Sequence, residues 1–372
     1  MIKVCHMTSA HAPEDVRIFH KECVSLAKAG YDVYLVERGE SYEKEGVHIV
    51  GVGQPAGGRF SRITRFSQKV YEVALSLDAD IYHLHDPELL PYGLKLKRKG
   101  KKVIFDSHER YSMQLRSKPY LPAWCTKMIA DFYSTYERYV LKRIDAVIFP
   151  CTFNGEKLYE GVCPRSILID NVAKLEEMYD RYVELETRQG LPMCFVGSLS
   201  EARCVTEIVQ AAKLANIPLI LAGEFSSSAY KKEIQELISH CEGIKWIGSI
   251  PHDEVITLLQ NASAGLCPEK NVAQYNTVDN LATKSYEYMA MALPVVVAAY
   301  PFSSKVMETY QYGIQVNPDS VEEIAAAMRY LWDNPEEAKR MGENGRRAIK
   351  EKFNWEIEEK KLLALYEDIL KG

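Results

Sequence analysis

Short apolar, β-branched runs alternate with amphipathic helical stretches along this chain, and the series runs through once and then starts again. Alternation of that kind builds a parallel sheet covered by helices on both faces, and a restart builds a second one. Strands are predicted over Ile2–Met7, Tyr31–Val36, Val47–Val52, Asp80–Leu84, Lys102–Asp106, Ala146–Phe149 and Ser166–Ile169. A second set is predicted over Met193–Gly197, Leu219–Ala222, Ile244–Ile247, Ala264–Cys267, Val295–Ala298 and Gly313–Val316. The length of 372 residues agrees, because it exceeds what one hydrophobic core usually supports. The expected fold class is therefore α/β, with two Rossmann-like, doubly wound domains facing a central cleft. Residues 1–172 are expected to form the first domain, and 173–190, acidic and without strand signal, the linker. Residues 191–353 then form the second domain, and 354–372, after the Asn354-Trp355 interruption, a helix that packs back on the first.

Composition narrows the class further. No apolar run approaches the roughly 18 residues that span a bilayer, and the opening segment lacks the charged and apolar regions of a signal peptide. Nine cysteines without a C-x-x-C pair or finger spacing favour reduced thiols, so a cytoplasmic location is expected. A formal net charge of -5 and the lack of any nucleic-acid module signature argue against DNA or RNA as partner. Basic residues concentrate in Lys95, Lys97, Arg98, Lys99, Lys101 and Lys102, a cluster suited to an anionic membrane or to a solvated helix end.

Ligands of doubly wound folds bind at the carboxyl ends of the strands, so the loops there hold the candidate residues. After the first strand, Thr8 to Arg17 replaces the Gly-x-Gly-x-x-Gly of a dinucleotide site, which counts against a dehydrogenase. His11 and Arg17 in that loop suit anionic or sugar groups, or else a solvated helix start. The clusters His85-Asp86-Pro87-Glu88 and Asp106-Ser107-His108-Glu109 follow two further strands, either as a site or as strand-end caps. A metal ion held by His83, His85 and His108 is not expected, because His83 should point to the other side of the sheet and the spacing is not compact. In the second half, Gly197 and Ser198 lead to Arg203 before a helix, and Glu224 and Ile250 follow the next two strands, where a nucleobase would lie. Asp279 and Glu287 bracket the start of a helix running from about Thr283 to Ala292, with Lys284 between them. Unpaired N–H groups and the macrodipole at such a start attract phosphate, while a structural salt bridge is the plainer reading.

Taken together, Thr8 to Phe19, His85 to Pro91, Asp106 to Glu109, Val196 to Ser200, Lys284 to Ala290, Leu293 to Val296 and Gly345-Arg346-Arg347 resemble the retaining, GT-B-fold glycosyltransferases of family 4 over essentially the whole chain. The bacterial enzymes that build capsules, exopolysaccharides or lipid-linked glycans are the type matched. The resemblance implies that a hexose or N-acetylhexosamine passes from a nucleoside-diphosphate sugar, UDP-linked at family level, to a hydroxyl of a glycan or polyprenyl-linked saccharide. It maps the family's paired acids onto Asp279 and Glu287, with Glu287 on the ribose. Asp279 and the amides of Asn280, Leu281 and Ala282 then meet the sugar and its phosphate. His108 falls on an N-domain histidine near the reacting centre, and Arg203 on a diphosphate-facing cation. His11, Arg17, His85, Asp86 and Glu109 fall on the acceptor side, and neither metal nor cofactor is implied.

Departures from the family pattern stand at Asp279 for Glu, Ser198 for Arg, Cys204 for Gly and Ala292 for Gly. A nucleotide-sugar epimerase of the same fold and an inactive nucleotide-sugar-binding partner subunit are the alternatives. The aromatic and basic stretch Arg116 to Arg143, with Trp124, Met128, Phe132, Tyr133 and Tyr136, is expected either to fill core or to rest on an anionic membrane. The second case puts the chain peripherally on the inner face of the plasma membrane.

Overall fold

The computed structural model describes residues 1–108, 111, 115, 123–239, 241–272 and 277–371. It divides into two compact units, Met1–Asn171 with Ile357–Gly372, and Val172–Glu356. Glu109 and Arg116 lie outside the described residues, as does the side chain of Trp124.

The first unit is an eight-stranded sheet. Its strands are β1 (Lys3–Met7), β2 (Asp32–Glu37), β3 (Tyr42–Lys44), β4 (Val47–Gly51), β5 (Ile81–Leu84), β6 (Lys102–Asp106), β7 (Ala146–Phe149) and β8 (Ser166–Leu168), in the spatial order β3-β4-β2-β1-β5-β6-β7-β8. All neighbours run parallel except β3 and β4. Val4, Cys5 and Met7 of β1 have no solvent exposure, as expected of a strand covered on both faces. The strand order reverses between β1 and β5, whose register sets His6 beside His83.

The second unit has six parallel strands, β9 (Met193–Val196), β10 (Leu219–Ala222), β11 (Ile244–Trp246), β12 (Gly265–Cys267), β13 (Val295–Ala298) and β14 (Gly313–Val316). They lie in the order β11-β10-β9-β12-β13-β14, reversing between β9 and β12. Gly313 is required where it stands, since a Cβ there would lie 1.9 Å from the Val295 carbonyl oxygen.

Every strand expected from the sequence forms, within one residue at either end. The strand not anticipated among the described residues is β3, a short polar edge that pairs only with β4. The stretch 173–190 carries two single-turn 3-10 helices, Leu175–Glu177 and Tyr179–Arg181, and is counted with the second unit. The last helix, Trp355–Lys371, joins the first unit from Ile357 onward, where Leu362, Leu365, Tyr366 and Ile369 are buried.

A second departure lies after β1. Val16–Cys23 is wound as a π-helix before continuing as α-helix over Val24–Lys28. Asp15 caps it, its carboxylate accepting from the N–H groups of Arg17 and Ile18. Residues five apart stack in a π-helix, whereas they diverge in an α-helix. The winding therefore brings Arg17 and Glu22 to one inward face, with Arg17 Nε 3.3 Å from Glu22 Oε1.

Candidate functional site

The reversal in strand order between β1 and β5 splays the loops after them, and a cavity of about 430 Å³ opens at that point of the first unit. His11, Arg17, His85, Asp86, Asp106 and His108 line it. Asp86 organises the first loop: its Oδ2 accepts from Thr8 Oγ1 at 2.9 Å, Ser9 N at 2.5 Å and Ala10 N at 3.1 Å. Its other oxygen lies 3.1 Å from His11 Nδ1. Burial alone would lower the His11 pKa, but the bond and charge of Asp86 outweigh it and the pKa is raised. Burial would likewise raise Asp86, yet His11, Ser9 and Thr8 hold it far below the usual carboxylate range.

Arg17 corrects the expectation that it reaches for a ligand. It is 3% exposed and makes a two-pronged bond to Asp106, Nε to Oδ2 at 2.7 Å and Nη2 to Oδ1 at 3.1 Å, while Nη1 donates to the Ile169 carbonyl. Such a fork holds a buried carboxylate ionised. Burial works against that ionisation, but Arg17, then His108 and His85, keep Asp106 well below its ordinary pKa. Glu22 beside it goes the other way: burial first, then the Asp106 charge, push it well above the carboxylate range, and neither of its oxygens meets a hydrogen-bond donor. Both effects favour its protonated form.

His6, His83 and His85 stack on the same side, with ring centroids 4.6 to 5.1 Å apart. His83 thus does not point away, because residues 83 and 85 alternate back to one face. Burial lowers all three, and lowers His108 to about 3, so these imidazoles are neutral near pH 7. His6, Glu22, His83 and His85 bring one donor atom each within 4.8 Å of one another, and so do His85, Asp106 and His108. However, His6 Nδ1 and His85 Nε2 are 2.9 Å apart, a hydrogen-bond length that needs a proton where an ion would sit. Arg17 is paired to Asp106 and His11 to Asp86, so each of these two carboxylates already faces a basic side chain.

In the second unit Gly197, Arg203 and Lys284 come together where β9 and β12 end, while Glu224 and Ile250 follow β10 and β11. Gly197 has φ +128° and Gly223 φ +136°, and a Cβ on Gly223 would lie 1.9 Å from the Gly197 carbonyl oxygen, so the two turns touch backbone to backbone. A Cβ at Gly197 would stand 3.5 Å from Lys284 Cε. Lys284 is buried at the start of the Thr283–Ala290 helix, two residues shorter than expected. Its Nζ donates to Glu269 Oε1 at 2.8 Å, and Arg203 Nη1 bonds the same oxygen. The two expected diphosphate cations therefore do converge, on a carboxylate that sequence reasoning missed. Glu269 follows β12, and only its place at a strand end could have flagged it.

Tyr286 clamps the loop before this helix, its hydroxyl donating to Asn280 Oδ1 at 2.5 Å and accepting from the Leu281 N–H at 3.3 Å. Asp279, Asn280, Ala282 and Glu287 are half-buried, Leu281 is buried, and Ile250 packs against the neighbouring core. Ser198 and Glu224 are exposed, and Glu224 contributes its carbonyl to the Leu199 N–H at 2.8 Å. Cys204 and Ala292, where the family pattern has glycine, adopt φ +57° and +55°, the left-handed region that glycine favours.

Residues 17–172 match the family model for Glycosyltransferase Family 4, and residues 185–348 the model for Glycosyl transferases group 1. An uncharacterized glycosyltransferase of Methanocaldococcus jannaschii is 21% identical over 297 residues, which is 74% of this chain and 70% of that protein. Among solved structures, a sucrose-phosphate synthase from Thermosynechococcus elongatus superposes with a TM-score of 0.74 at 17% identity, covering 100% of both chains. Anabaena HepE, solved in complex with UDP-glucose, gives a TM-score of 0.68 at 12% identity over 99% of this chain and 100% of that one. At those identities the structural likenesses speak for the fold alone. These findings support glycosyltransferase activity on two Rossmann-like α/β units of the GT-B fold, the first matching the Family 4 model and the second the group 1 model.

Proposed function

We propose that the chain transfers a hexose or N-acetylhexosamine from a nucleoside-diphosphate sugar, UDP-linked, to a hydroxyl of a glycan or lipid-linked saccharide, with anomeric configuration retained and without metal or cofactor. The observation that carries this reading is the meeting of Arg203 and Lys284 beside the start of the Thr283–Ala290 helix and the Gly197 turn. Two cations, a helix start and a close-packed glycine turn suit a diphosphate. Glu287 on the same helix takes the ribose, and Asp279 with the 280–282 amides takes the sugar phosphate. The HepE complex with UDP-glucose supports the same donor class.

Breaking the anomeric bond builds positive charge on the sugar and negative charge on the departing diphosphate. Arg203, Lys284 and helix-terminal amides lower that barrier electrostatically. Metal is unnecessary because these charges take the place of a divalent ion. The first unit contributes His108, neutral and therefore an orienting group rather than an acid, with His11, His85 and Asp86 shaping the acceptor side. The leaving phosphate takes the acceptor proton.

Cell-surface polysaccharide synthesis on the inner membrane face fits the helix Ala123–Leu141, which exposes Met128, Phe132 and Tyr139 alongside Lys127 and Arg138, with Lys142 and Arg143 exposed in the turn after it. Tyr133 and Tyr136 of the same stretch turn inward against the core. Flotation with anionic vesicles tests the contact, and loss of binding in Phe132→Ser is the expected result.

One observation favours a non-catalytic nucleotide-binding subunit instead: Glu269 already engages both cations. A panel of donors assayed for nucleoside-diphosphate release with and without acceptor separates the two. Acceptor-dependent release, with the product's anomeric configuration retained by NMR, supports transfer; no release from any donor supports the subunit.

A further inference from the structure

The buried imidazoles form one hydrogen-bonded line. His108 Nε2 lies 3.1 Å from His85 Nδ1, His85 Nε2 lies 2.9 Å from His6 Nδ1, His6 Nε2 lies 3.3 Å from the Tyr366 hydroxyl, and that hydroxyl lies 2.8 Å from His83 Nδ1. His6, His83, His85 and Tyr366 have at most 1% exposure, and Tyr366 belongs to the C-terminal helix. A neutral imidazole carries one N–H and one bare nitrogen. Where both nitrogens of each ring are used, the direction of any single bond fixes the tautomer of every ring in the line.

Both ends of the line point the same way. Tyr366 has one proton to give, and the 2.8 Å contact to His83 is the shorter of its two, the length of an O–H donor bond. Tyr366 then accepts from His6 Nε2–H, which leaves His6 Nδ1 bare to accept from His85 Nε2–H, and His85 Nδ1 bare to accept from His108 Nε2–H. At the outer end Asp106 Oδ2 lies 3.3 Å from His108 Nε2. The same oxygen lies 3.6 Å from His85 Nδ1, so an ionised carboxylate, which only accepts, favours the proton on the nearer nitrogen, His108 Nε2. His108 is left with an unprotonated Nδ1, which has no hydrogen-bond partner among the described residues, and its side chain is 18% exposed at the cavity.

We propose that Tyr366 is a positioning residue: through His6 and His85 the C-terminal helix holds His108 in the Nε2–H tautomer, so that Nδ1 accepts a hydrogen bond from a substrate hydroxyl. The inference rests on the proposed function for the hydroxyl, but not for the tautomer. The opposite tautomer would offer an N–H and favour a phosphate or carbonyl oxygen instead.

Selective ¹⁵N-histidine labelling and long-range ¹H–¹⁵N correlation spectra of the full chain at pH 7 read the tautomers directly, with single His→Gln variants to assign them. Wild-type spectra are expected to show Nε2–H and bare Nδ1 for His6, His85 and His108. Tyr366→Phe removes both ends of its bonds, and the His108 signals should then report a mixture of tautomers. In a donor-and-acceptor assay kcat should fall about tenfold, the worth of one neutral hydrogen bond, with the donor KM unchanged. An Nδ1–H tautomer at wild-type His108 overturns the proposal, as do His108 signals unmoved by Tyr366→Phe. Stoichiometric zinc by elemental analysis, with two bare nitrogens on His6 or His85, overturns it as well. If the tautomers are as assigned while His108→Ala transfers sugar at the parent rate, the relay stands and the role given to His108 in the proposed function fails.

Discussion

Ala292 stands at φ +55°, a conformation that costs an L-residue roughly 1–2 kcal/mol, so glycine there relieves strain and loses part of the gain to chain entropy. Ala292→Gly should stabilise the chain by about 0.5–1 kcal/mol in chemical denaturation; a lower midpoint would show that the backbone is held there without strain. Glu269 is the other informative residue. Its carboxylate lies against Lys284 and Arg203, the cations that the proposed function gives to a diphosphate, so Glu269→Gln should tighten UDP several-fold by calorimetry. Weaker binding would mean that Glu269 serves to hold the cations in position. Neither role was legible along the chain: Arg203 and Glu269 are 66 residues apart, and Arg17 and Asp106 are 89 apart. A pairing over such distances turns an apparently available cation into a buried partner, and no local pattern records it.

Strands and loops were far more readable than pairings. Each apolar run is bounded by turn residues, and a strand buried on both faces leaves little freedom over where it ends. The π-winding of Val16–Cys23 was not readable, because its sequence suits an α-helix and the wider turn arises from what Arg17 and Glu22 meet on the sheet. The two acids packed on that element differ in charge, and that difference is measurable. Asp106→Asn strands the buried Arg17 charge and should cost about 3–5 kcal/mol. Glu22→Gln replaces an acid whose protonated form burial favours by a neutral isostere and should cost less than about 1 kcal/mol. Equal losses in urea unfolding would contradict the assigned charge states.

At the scale of the molecule, four imidazoles, the buried His6, His83 and His85 and the largely buried His108, are held neutral with pKa values below the ordinary 6.5. Their contribution is present above pH 6.5 and is lost as pH falls toward the folded values, since the unfolded chain takes up the protons first. Glu22, raised above 4.5, acts in the opposite sense, favouring the folded state at low pH and losing that advantage as pH rises. The four imidazoles outnumber Glu22 and Glu37, the acids whose pKa values are raised, so stability should fall from pH 6.5 downward. Thermal melts across pH 4.5 to 7.5 check this, and a flat profile would mean that the imidazoles are already charged when folded. The two-unit α/β architecture was legible because two runs of alternating elements leave few other folds open. The chemistry was legible only as types of residue at strand ends.

The most direct test is calorimetric titration of UDP-glucose and UDP into the whole chain and into Glu287→Ala. A saturable heat with the parent that vanishes in the variant is predicted, because the proposed function puts the ribose on Glu287 of the Thr283–Ala290 helix. Equal binding by both would contradict the donor site proposed in the second unit.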